Sequence, residues 1–100
     1  MTLESFLRSV SEDSEPPEDL SGELRSLWLA KNDRWDESHD IAQDIPTAMG
    51  SWIHGLLHTI EGDLGNAGYW YSRAGQPAIS PSEIEMEWKR LVEANLDDTP

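Results

Sequence analysis

Two histidines one helical turn apart, followed by a glutamate, are the side chains of this sequence best suited to chemistry: His54-x3-His58-x2-Glu61. On an α-helix the intervals i, i+4 and i+7 place all three on one face, within an arc of about 60°. Two imidazoles at this spacing can share a divalent metal ion, Glu61 can supply a third ligand, and His39, upstream, a fourth. The zinc-protease pattern is not matched, because no glutamate lies between the two histidines. The competing reading is structural. His54 and His58 are then buried, metal-free and hydrogen-bonded to Glu61, Asn66, a tyrosine or backbone groups, and stability falls in acid because burial disfavours the charged imidazolium. The sequence favours this second reading and implies no cofactor.

A second group follows on the next segment: Asn66, Trp70, Tyr71 and Arg73. Trp and Tyr each join an apolar body to one donor, and Arg73 can stack on an aromatic face or grip a carboxylate. At these spacings the group reads first as core packing with one arginine ion pair. Its alternative is a partner-binding patch with aromatic and arginine anchors. No nucleophile elbow, Ser–His pairing or phosphate-cradling glycine loop is present. Gly62-Asp63-Leu64-Gly65-Asn66 lacks the lysine and the preceding strand of such a loop. The sequence leans against an enzyme.

These side chains must be positioned by helices. Leu3, Phe6, Leu7 and Val10 form one stripe behind a capping Thr2, which predicts a short helix over 2–10. Residues 11–19 hold five acids, two prolines and no apolar side chain, and read as a solvated linker. Apolar periodicity then predicts helices over 20–32, 34–45, 48–61, 64–75 and 81–95, with no credible strand. Asp33, Thr47, Asp63 and Ser80 are the expected caps. Pro46 stops the third helix, Gly62 supplies a left-handed turn, and Ser80-Pro81-Ser82-Glu83 carries both a Pro at the first helical position and a capping box. On the fourth helix Met49, Ile53, Leu56 and Ile60 should form an apolar stripe separate from the histidines.

Gly55, Gly62, Ala67, Tyr71 and Ala74 have the intervals of a tetratricopeptide helix pair, with Ser51, His54 and His58 at positions where that pattern carries an apolar residue, Leu and Tyr. Ser38, Ala42 and Asp33 repeat part of it upstream. Residues 27–77 also resemble a family of small bacterial and eukaryotic helical proteins without assigned function. The resemblance lies in Asp33-Arg34-Trp35-Asp36, His54-x3-His58-x2-Glu61-Gly62-Asp63 and Asn66-Ala67-x2-Trp70-Tyr71-x-Arg73-Ala74. It implies an all-α fold of five or six helices in antiparallel pairs, with His54 and His58 facing the partner helix. Gly55 and Ala67 should meet at that crossing.

One hundred residues suit one domain. The division expected is a short helix and acidic linker over 1–19, a helical domain over 20–96 and a frayed tail over 97–100. Seven basic residues against twenty acids leave a net charge of −13, which argues against nucleic acid and anionic membranes as partners and favours a basic protein or peptide. There is no cysteine, no run long enough to span a bilayer and no leader pattern at Met1–Val10, so a soluble cytoplasmic protein is expected. The leading functional expectation is a protein- or peptide-binding helical module. The alternatives are a metal-dependent site on His54, His58 and Glu61, and an acidic decoy that occupies a basic protein.

Overall fold

The caps decide where the helices begin. Thr2, Ser21, Thr47 and Asp63 each accept a hydrogen bond from the backbone N–H three residues on, and α1 (Leu3–Glu12), α2 (Gly22–Lys31), α4 (Ala48–Glu61) and α5 (Leu64–Ala74) start directly behind them. Between them lies α3 (Trp35–Ala42), and α6 (Ile84–Asn95) closes the fold after a 3-10 turn over Pro81–Glu83. This is a computed structural model that describes residues 1–96, so the tail expected over 97–100 lies outside the described residues. The described residues are all-α, with no strand, and none of their helices is long and apolar enough to cross a membrane.

Three local expectations are corrected. Asp33 does not cap α3. It sits at a φ of +61° in the turn that ends α2, where the Arg34 N–H returns to the Leu29 carbonyl. Arg34 takes the cap position without a side-chain bond, so α3 starts with its first N–H groups uncapped by any side chain. The same helix ends at Ala42 rather than Ile45, because Asp44 and Ile45 turn back onto Ile41 and Ala42 ahead of Pro46. The capping box at Ser80 and Glu83 forms, but it opens a 3-10 turn, and the α-helix proper begins at Ile84. Gly62, at a φ of +89°, lets α4 end and α5 begin within two residues.

The core joins all the helices except α5 in one cluster: Phe6 and Val10 from α1, Leu24, Leu27, Trp28 and Leu29 from α2, Ala42 from α3, Ile53, Leu56 and Leu57 from α4, Trp88, Leu91 and Val92 from α6. The N-terminal segment is therefore part of the same core as residues 20–96. The acidic stretch behind it is fixed at both ends of its loop. Arg34 pairs with Glu15 at 3.1 Å, and Arg25 donates to the carbonyls of Pro17 and Glu18. Helix α5 packs on α4, the most extensive helix contact in the molecule. Gly55 makes that approach possible: a Cβ there would lie 2.7 Å from Cδ2 of the buried Tyr71 ring. The close contact at Gly55 is thus with Tyr71. The stripe expected on α4 is broken at Ile60, which is exposed, while Leu57 is buried in its place.

Four indole N–H groups tie the helices together. Trp28 donates to Ser9 Oγ, Trp88 to the Leu27 carbonyl, Trp52 to Glu87 and Trp35 to the Leu57 carbonyl, at 2.7–3.1 Å. Helices α2 and α3 are locked by two small residues: Ser38 Oγ donates to the Ser26 carbonyl at 2.7 Å, and Ser26 Oγ faces Ser38 at 2.9–3.0 Å. Side chains of this size let α3 lie close against α2, which fixes the direction in which its last turn points.

Candidate metal centre

That last turn of α3 carries His39 onto the histidine face of α4. Trp35, one turn earlier, stacks on His39 with ring centres 4.8 Å apart, while its indole N–H holds the Leu57 carbonyl of α4. On α4, His54 and His58 stack on each other at 4.8 Å, and His39 meets both edge-on, at 4.6 and 5.5 Å. From α5, Trp70 lies flat on His54 at 3.9 Å. Three imidazoles from two helices are thus enclosed by two indoles. His54 and His58 are each only 6% exposed, as the repeat register expects, and His39 forms the partly open side.

One ligand nitrogen from each histidine lies within 4.8 Å of the other two. The closest pair is Nε2 of His39 and Nε2 of His54, at 2.9 Å, which share one hydrogen bond. Three imidazoles at 2.0–2.1 Å from a tetrahedral zinc-like ion stand about 3.3 Å apart. Reaching that arrangement means opening the closest pair by about 0.4 Å and drawing in the widest by up to about 1.5 Å, within the range of side-chain rotation.

The hydrogen bonds around the cluster fix one tautomer. Glu61 sits 2.6 Å from Nδ1 of His58, and a carboxylate only accepts, so the proton of His58 is on Nδ1. Nε2 is then a lone pair, which receives the Asn66 amide at 3.3 Å. A carboxylate on the far nitrogen of a histidine is the arrangement that orients metal-ligating imidazoles and raises their basicity. His54 is held neutral. Burial, and then the neighbouring His39 and His58, push its pKa down to about 4, so its ring offers a lone pair at neutral pH.

The residues expected from the sequence are distributed as follows. His54 and His58 come together with His39, which was expected as a fourth ligand and stands third, while Glu61 is outside the set and bonds His58, as Asn66 does, in the way the structural reading expects. Glu61 and Asp63 also gather around His58, both exposed, with Asp63 Oδ1 taken by the Asn66 N–H that it caps. Asn66 and Trp70 belong to the cluster. Arg73 lies over the Tyr69 and Trp70 rings at 5.8 and 5.5 Å. Tyr71 is apart from them, 1% exposed, and donates to Glu87 Oε2 at 3.0 Å. Burial and the Glu87 carboxylate push its phenol pKa far up. Trp35 entered the sequence reading through the Asp33-Arg34-Trp35-Asp36 resemblance and not as part of a site, and Glu87 had no place in it. The sign of Trp35 was its i, i+4 spacing from His39, and that of Glu87 its place on the apolar stripe Ile84, Trp88, Leu91 of α6.

No protein-family model, no curated protein and no solved structure matches this chain.

Proposed function

We propose that this protein binds one divalent transition-metal ion through His39, His54 and His58. The observation that carries the reading is the convergence of three imidazole ligand atoms, drawn from α3 and α4, within 4.8 Å. Neutral imidazoles favour zinc, copper, nickel and iron over magnesium or calcium, which prefer oxygen ligands. The Glu61 carboxylate supports the same reading by orienting His58 with its proton on Nδ1, and the lowered pKa of His54 supports it because ligation needs an unprotonated ring. With three protein ligands, the fourth position falls to water or an exogenous group on the His39 side. This reading ranks above the hydrogen-bonded core histidines favoured by sequence, because His39 brings a third imidazole that ordinary packing of α4 on α5 does not require.

The test is a titration of chelator-treated protein with zinc and with cobalt(II). The expected result is one ion per chain, with tetrahedral cobalt absorption that zinc displaces. His39→Ala and the His54→Ala, His58→Ala pair should each abolish it while retaining a helical circular dichroism spectrum. Saturating zinc that leaves the visible spectrum of the cobalt form, the thermal midpoint and the histidine NMR signals unchanged would exclude the site.

A further inference from the structure

A cleft of about 380 Å³ shares Trp70 with the histidine cluster and is lined among others by Gln43, Ile45, Pro46, Ser51, Trp70 and Arg73. Its chemistry differs from the surface around it. Most basic side chains here are engaged: Lys31 with Glu85, Arg34 with Glu15 and Glu37, Arg90 with Glu87, and Arg25 with two carbonyls. Arg73 is not. Among the described residues no carboxylate lies within 4.0 Å of it, and its single hydrogen bond is a long one of 3.4 Å to Tyr69 Oη. In a chain with twenty acids and seven bases, a cation left without an acid at the edge of a cleft is a distinct chemical feature.

The aromatic faces of Tyr69 and Trp70 hold the guanidinium by cation–π contact, which limits its rotamers and leaves its fork of donors available. That fork matches a carboxylate. Beside it, the Gln43 amide and the Ser51 hydroxyl have no side-chain hydrogen bond among the described residues, and Ile45, Pro46 and Ala48 supply an apolar wall. A ligand that fits therefore has one carboxylate and a small apolar group next to it. The net charge of −13 adds a second condition: a multiply anionic ligand is repelled over the whole surface, and a cationic one is drawn in.

We propose that this cleft binds the C-terminus of a basic peptide, with the terminal carboxylate on Arg73 and a small apolar last side chain against Ile45, Pro46 and Ala48. This is independent of metal binding, since none of His39, His54 and His58 lines the cleft. The probe is a dye-labelled peptide of three lysines and a glycine ending in valine, as free acid and as C-terminal amide, followed by fluorescence anisotropy with the full chain. The free acid should bind at least about tenfold more tightly than the amide. Arg73→Gln should reduce that ratio to under about threefold, with amide binding and zinc uptake unchanged. Equal binding of acid and amide to the wild-type protein overturns the proposal without recourse to any variant. So does a preference for the acid that survives in Arg73→Gln, or N-acetylvaline competing as strongly as the peptide, which would make this a small-carboxylate site.

Discussion

Gly55→Ala is the smallest change that tests the α4–α5 contact on which the histidine cluster leans. The added methyl would stand 2.7 Å from Tyr71 Cδ2, 2.9 Å from Cε2 and 3.1 Å from Cγ. Ordinary carbon contacts are at about 3.5–4.0 Å, so the ring has to retreat by about 1 Å. Overpacking of this kind costs about 1–3 kcal/mol. The retreat also pulls Tyr71 Oη from Glu87, a 3.0 Å bond to a carboxylate, which is worth about 1.5–3 kcal/mol. Against this, alanine is better than glycine inside a helix by about 1 kcal/mol. The balance is a loss of about 2–5 kcal/mol, read from urea midpoints at constant m-value. A double-mutant cycle identifies the mechanism. Tyr71→Phe should cost less in the Gly55→Ala background than in wild type, because its hydrogen bond is already gone. A gain of about 1 kcal/mol from Gly55→Ala, as at an uncrowded helix position, would refute the packing argument.

Three further outcomes follow from the same contacts. Acid should destabilise the protein in the window between pH 6.5 and 4: the folded-state pKa of His54, about 4, lies below its unfolded value, so the unfolded chain binds the proton first and stability falls by up to about 3 kcal/mol as pH drops through that range. Urea midpoints at pH 7.5, 6, 5 and 4 measure it, and His54→Gln should flatten the slope; a wild-type slope equal to that of the variant would contradict the assignment. Glu87→Ala should cost about 2–5 kcal/mol by calorimetry, since it strands the Trp52 N–H and the Tyr71 hydroxyl together, whereas Glu87→Gln, which keeps an acceptor, should cost less than half as much. Zinc at a hundred times its Kd should raise stability by about 2.7 kcal/mol, and His39→Ala should remove that increment if the three imidazoles act as one site.

What the sequence made legible, and what it did not, divides along local and tertiary lines. Helix α4 is read correctly from Ala48 to Glu61 because both of its ends are signalled locally, by Thr47 and by Gly62. The burial of His54 and His58 is legible too, from their register on that helix. The third imidazole is legible only as a candidate fourth ligand, because its place depends on tertiary contacts. His39 reaches the cluster because Ser38 lies against Ser26 and Trp35 hangs from the Leu57 carbonyl, and neither partner can be read from spacing along the chain. Asp33 misled for a related reason. An aspartate ahead of a helix is a good cap, but the exit of α2 drew this one into a left-handed turn. Glu61 was expected either as a metal ligand or as a hydrogen-bond partner of the histidines, and the structure gives the second, with its carboxylate on Nδ1 of His58.

The indole ties have a consequence for the order in which the chain can assemble during synthesis. Helices α4 and α5 are adjacent in sequence and can pair as soon as both have left the ribosome. The acceptor for Trp52 and Tyr71, however, is Glu87 on α6, and the Trp88 that bonds Leu27 lies 61 residues away along the chain. Until α6 emerges, a half-buried indole and a buried phenol have no partner, Leu27 and Phe6 lack the ring that covers them, and the nascent domain stays open. The last of these six helices to be translated is therefore the one that closes the core. The histidine cluster, whose ligands all lie between residues 39 and 58, is complete in sequence well before that closure. A metal ion bound early would fasten α3 to α4 while the rest of the protein is still being made.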